Sequence, residues 1–160
     1  ADVFELAGAP YVETPAYIML TNPTFDGVYG YEFSYEIVGN FLAGAVTYNG
    51  PGAVPVAATE GVVVGLGSPL LAEPATLLAT VPVIPLSTDP ISFTLKGAVP
   101  NSVPGSTSPA VLLAGSQILA TGLSAGFDAT GAPNPCAYFN GEGVVATDEV
   151  SMDAVKALYR

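Results

Sequence analysis

The 160 residues predict an all-β chain: an antiparallel β-sandwich of jelly-roll, cohesin-like or Ig-like Greek-key type, with one short C-terminal helix. Three observations carry this. Fifteen prolines and 18 glycines are spread along the chain at roughly turn spacing, the punctuation of short strands. Residues 28–38, "VYGYEFSYEIV", alternate with period two: Tyr29, Tyr31, Phe33, Tyr35 and Ile37 share one face, and Gly30, Glu32, Ser34 and Glu36 the other. Two segments near the end read as hairpins. Period two means one covered face and one wet face, as in an antiparallel sheet packed on a second sheet.

The elements follow in chain order. "DVFEL" is a short strand set apart by the linker "AGAP", so residues 1–9 form an extended arm and residues 10–160 a single domain. "AYIMLT" at 16–21 alternates weakly. The aromatic ribbon comes next, with its five apolar side chains predicted in the core and Glu32 and Glu36 exposed or at an intersubunit surface. The turn at Gly39-Asn40 leads to "FLAGAVTY" at 41–48, and "EGVVVGL" at 60–66 is a continuous apolar run. "ATLLATVPVI" spans 75–84, where Pro82 signals an edge or a bulge. "ISFTLK" at 91–96 alternates cleanly, with Ile91, Phe93 and Leu95 on one face. "AVLLAGSQILAT" reads as a hairpin on a type II′ turn at Gly115-Ser116, and "CAYFNGEGVVAT" as one on a type I′ turn at Asn140-Gly141. Two loops separate these elements, a Pro/Ser-rich one between residues 97 and 110 and a Gly-rich one at 122–135. Only 151–159 looks helical: Ser151 can cap, Asp153 sits in the first turn, and Met152, Val155, Leu158 and Tyr159 share a face. About nine strands in this order suit a jelly roll or a Greek key.

Composition narrows the function. Half of the residues are hydrophobic and 11% are charged, against roughly 25% in an ordinary domain. Mean hydropathy is +0.51. No run of about 18 apolar residues suits a membrane-spanning helix, and the aromatic rings crowd into 25–48 instead of forming the girdles of a membrane barrel. Burial against other copies of the chain, or a partner, accounts for such a surface, while the net charge of −11 keeps unassembled chains apart. Lys96, Lys156 and Arg160 are the three basic residues, too few for a phosphate-binding stripe, so nucleic acid and anionic lipid are excluded as partners. An Ala start followed by "DVFEL" suits a mature secreted protein whose signal peptide has been removed.

Chemistry-bearing motifs are scarce. With no histidine, a Ser-His-Asp triad, a histidine metal site and a Cys-His dyad are all impossible. Cys136 is alone, which leaves a small buried hydrophobe or an intermolecular bridge. Glu32 and Glu36 lie roughly 13 Å apart along a strand, too far for a retaining glycosidase. Asp148, Glu149 and Asp153 surround the helix start but lack a calcium loop. No catalytic, cofactor-binding or metal residue is assigned, and the chain is read as a non-enzyme without cofactor. The Ser/Thr/Pro loop is a candidate for O-linked glycan.

From "AYIMLTNPTFDGVYGYEFSYEIVGN" to "ATLLATVPVIPLSTDPISFTLKG" the order of strands resembles a cohesin-type sandwich, and the whole chain with its "VKALYR" ending is similar to secreted bacterial sandwich proteins of unknown function. This resemblance implies a fold and, as one function, a cell-surface module that binds protein or carbohydrate. The layout of a short apolar N-terminal strand, a small-residue linker and a sandwich also resembles pilin-like fibre subunits, where a strand of one subunit completes the sheet of the next. That resemblance implies a structural subunit of an extracellular fibre, polymerised head to tail. Residues 1–8 are then expected in a neighbouring subunit, with Val3, Phe4 and Leu6 at the assembly interface.

Overall fold

The computed structural model describes residues 4–141, with the side chains of Phe4 and Glu5 outside the description. Twelve strands run in chain order: β1 (Phe4–Leu6), β2 (Thr14–Thr21), β3 (Gly27–Val38), β4 (Phe41–Ala43), β5 (Thr47–Tyr48), β6 (Val54–Ala57), β7 (Val62–Leu71), β8 (Ala75–Pro85), β9 (Ile91–Lys96), β10 (Ala110–Leu112), β11 (Ile118–Ala120) and β12 (Ala137–Phe139). They form two sheets. The larger holds β1-β12-β9-β3-β10-β11, with β7 also on β3 and β6 on β7; the smaller places β8 between β2 and the pair β4 and β5. Every pairing is antiparallel except β1 with β12. The architecture is all-β and sandwich-like. The expected helix at 151–159 and the return arm of the Asn140-Gly141 hairpin lie outside the described residues.

The core fills the space between the sheets. The larger sheet contributes Val28, Tyr31, Phe33, Val64, Ile91, Phe93, Val111 and Phe139, and the smaller Ile18, Leu20, Leu78, Ala79, Val81 and Val83. Stacking of Tyr31 on Phe33, 6.1 Å between centroids and 6° between planes, makes the aromatic spine of β3 one packed unit. The Tyr31 hydroxyl crosses to the other sheet, 2.7 Å from Leu78 O and 2.8 Å from Asn49 O. A large ring thus fills the core without stranding its polar tip.

Two bulges decide which face each residue takes. In β3 the register against β7 shifts between Val28 and Gly30. The core-facing phase therefore runs through Val28 before the bulge and through Tyr31 and Phe33 after it. Tyr29, expected in the core, is pushed to the outer face and is 40% exposed, while Val28 is fully buried. In β8 the register against β2 shifts by one at Leu78, and the buried positions change from Val83, Val81 and Ala79 to Leu78 and Thr76. Pro82 lies on the central strand of its sheet, not on an edge. Its carbonyl accepts from Gly44 N (2.9 Å), on the side where the ladder breaks between β4 and β5. The missing N–H falls on that same side, at the end of the β4 ladder, so only the reciprocal bond to Gly44 is forgone.

The hairpin of β10 and β11 forms as read, but not on a type II′ turn. Leu113 N donates to Gln117 O (2.7 Å), and Gly115 and Ser116 both take positive φ, 72° and 62°. Type II′ has positive φ only at its first central residue, so the loop is one residue longer than the two-residue reading.

Candidate functional site

The N-terminal strand is the first candidate. Val3 lies outside the described residues; Phe4 is in register with Ala137, Glu5 with Tyr138 and Leu6 with Phe139. In the single chain this strand pairs with β12 of the same chain. Among the described residues three positions pair, at the edge of the sheet, and the Leu6 side chain is 50% exposed. Asn140 staples the arm: its N–H donates to Leu6 O (3.0 Å) and its Oδ1 accepts from Gly8 N (2.8 Å). Asn140 takes φ 54°, the left-handed conformation its short amide tolerates. Its buried Nδ2 finds no acceptor among the described residues.

The second candidate is Glu32, which sequence reasoning placed on an open face. It is buried, at 4% exposure. The Pro/Ser-rich loop 97–109 folds over the outer face of β3 and delivers Ser102: its N–H donates to Glu32 Oε1 (2.8 Å) and its hydroxyl to Oε2 (2.6 Å). The loop is fixed from within. Gly97 N donates to Thr107 O (2.7 Å), Asn101 Nδ2 to Ser108 O (2.8 Å) and Val103 N to Asn101 Oδ1 (2.8 Å). Ser34 Oγ donates to Gly97 O (2.6 Å). Cross-strand neighbours of Glu32 are Val63 and Ala110, and Ser102 is its hydrogen-bond partner among the described residues. Both carboxylate oxygens are occupied and the group is closed off; it works as a clamp that fastens the loop to the sheet. The separation of 70 positions between the partners explains why local sequence carried no signal for it. Glu36 is exposed as expected and forms an ion pair with Lys96.

A third feature is a half-open cleft of about 560 Å³ where β7 leaves β3, lined by Phe33, Tyr35, Tyr48 and Gly61 with Glu36, Glu60 and Lys96 at the rim. Burial pushes the Tyr35 hydroxyl pKa up, with the nearby Tyr48 adding to it, and pushes Tyr48 up as well. Cys136 is half-buried, with Sγ 3.3 Å from Phe93 O, and burial raises its thiol pKa. Among the described residues no three His, Cys, Asp or Glu side chains are grouped to hold a metal. The calcium candidates Asp148, Glu149 and Asp153 lie outside them. No protein-family model, curated protein or solved structure matches this chain.

Proposed function

We propose that the chain is a non-catalytic structural subunit of a secreted, extracellular fibre, polymerised head to tail by exchange of its N-terminal strand. The observation that carries this is β1 at the sheet edge: among the described residues it pairs over Phe4–Leu6, Leu6 is half-exposed, and a small-residue linker joins it to the domain. Its staple, Asn140, keeps one buried donor unpaired among the described residues, and such a donor costs about 1–3 kcal/mol. A strand that pairs at an edge can make the same backbone pairs on the β12 edge of a neighbour. Because the donor arm and the acceptor edge are different surfaces, each subunit offers one of each, and the contact propagates without closing. Val3, Phe4 and Leu6 would form the assembly interface. The finer fold, a jelly-roll or Greek-key sandwich resembling cohesin-type domains and ending in a helix at 151–159, belongs to this proposal, as does O-linked glycan on exposed loop residues such as Thr107.

Negative-stain imaging and size-exclusion chromatography of native material test the proposal. Filaments are expected from the intact chain. Deleting residues 1–8 should give monomers, which the added peptide "ADVFELAG" binds and stabilises. Filaments from the deleted chain, or only monomers from the intact one at high concentration, would overturn it. A second reading, a cell-surface module that binds protein or carbohydrate, is favoured by the cleft beside β3.

A further inference from the structure

β3 has two edges, and among the described residues one of them is paired only as far as Phe33. Phe93 O accepts from Cys136 N (2.8 Å), on the β12 side of β9. Alternate residues of a strand turn their backbone groups to opposite sides. Ser92, Thr94 and Lys96 therefore face β3, where Val38, Glu36 and Ser34 are their register partners. Tyr35 and Ile37 turn their N–H and C=O groups the other way, toward the edge that β7 covers only as far as Phe33. Among the described residues no strand pairs with Tyr35 or Ile37 on that side. The cleft of about 560 Å³ opens at this place. Gly61 sets where it begins: with φ +88° it turns the chain away, and a Cβ there would lie 2.2 Å from Phe33 O.

The walls are aromatic. Phe33 and Tyr48 stand 6.4 Å apart across the two sheets, and Tyr35 stacks on Phe93 at 5.3 Å. The hydroxyls of Tyr35 and Tyr48 have no hydrogen-bond partner among the described residues. At the rim Lys96 is paired with Glu36, which leaves Glu60 with no cation partner among the described residues. An edge with free backbone groups, an apolar wall and an acidic rim has the makings of a strand-addition site.

We infer that this edge binds an extended basic peptide as an added strand, in line with β7 and antiparallel or parallel to Tyr35–Ile37. Alternate apolar side chains of the peptide fill the cleft against Tyr35 and Tyr48, and an intervening lysine or arginine faces Glu60. The chain's own arm, "ADVFEL", carries Asp2 and Glu5 and has the wrong sign for this rim, so the site is separate from strand exchange at β12.

The probe is an acetylated hexapeptide of alternating valine and lysine with an added C-terminal tryptophan as reporter, since the protein has none. Fluorescence titration of the full chain should show saturable binding. N-methylation of alternate backbone nitrogens should weaken it about tenfold by removing two pairing donors. The surface substitution Glu60→Gln should weaken it about threefold, and the valine–aspartate analogue should not bind. Deleting residues 1–8 should leave the affinity unchanged, which separates this site from fibre assembly. Equal binding by the N-methylated peptide rules out strand addition. Insensitivity to Glu60→Gln together with binding of the aspartate analogue rules out the basic partner. Binding that emerges only once residues 142–160 are deleted would assign the cleft to the chain's own C-terminal segment and overturn the proposal.

Discussion

Both oxygens of the Glu32 carboxylate are held by Ser102, so removing Ser102 strands a carboxylate that is 4% exposed, whereas Ser102 is itself exposed and can turn to solvent. Ser102→Ala leaves Oε2 without its donor and should cost about 1–3 kcal/mol in urea unfolding. A double-mutant cycle with Glu32→Gln should show non-additivity, and strictly additive losses would argue that the two residues do not act as one clamp. On the core side of the same strand, Phe33 is 1% exposed while Tyr29 is 40% exposed. Phe33→Ala should cost about 3–5 kcal/mol, and Tyr29→Ala no more than about 0.5 kcal/mol. The same denaturation series checks both, and equal losses would contradict the bulge that separates them. Tyr31 adds a pH dependence. Burial pushes its hydroxyl pKa from the ordinary 10.0 up to about 12. The unfolded chain therefore releases this proton first. Its contribution is fully present below about pH 10 and is lost as pH rises through about 12. Tyr35 and Tyr48, also raised, act in the same direction. Unfolding midpoints taken across this range should fall more gently for Tyr31→Phe than for the intact chain; parallel curves would show that another group carries the loss.

At the scale of elements, the entry into β7 depends on one backbone conformation. Gly61 combines φ +88° with a Cβ position only 2.2 Å from Phe33 O. Gly61→Ala should destabilise by at least about 2 kcal/mol, from left-handed strain and from pushing the strands apart. Gly65, four residues on, has open space around its Cβ position and no positive φ. Gly65→Ala should be neutral or stabilising by about 0.4–1 kcal/mol, through lost freedom in the unfolded chain. Thermal midpoints of the two variants compare them directly, and a Gly61→Ala protein as stable as Gly65→Ala would mean that β7 can move off β3. β6 shows the opposite case, an element that tolerates change. Its four residues are exposed, and Pro55 sits on an outer strand where a missing donor costs no internal ladder.

For the whole molecule, charge and surface work against each other. The net charge of −11 repels like copies, while Leu6, Leu42, Val54, Val56 and Ile118 lie at least 45% exposed and favour contact. Raising salt from about 10 mM to about 150 mM shortens the screening length from about 30 Å to about 8 Å. Under the fibre proposal, assembly followed by light scattering should accelerate across that interval. Slower assembly at the higher salt would show that attraction between charges, not apolar contact, joins the subunits.

The sequence by itself determined the all-β class, because Pro and Gly spacing and period-two alternation are local properties that any sheet must satisfy. It placed β9 with Ile91 and Phe93 inward, the core position of Phe33 and the hairpin of β10 and β11. Tertiary structure decided the rest, for one physical reason: alternation names the two faces of a strand but not what covers them. A bulge against β7 turned Tyr29 outward. A loop 70 positions away covered the polar face at Glu32. β6, apolar on both faces and interrupted by Pro55, carried no alternation to read, and it exists because β7 offers it an edge. The N-terminal arm was legible as a strand, but its partner was not, since backbone hydrogen bonds carry no sequence label; only the folded chain placed it beside β12.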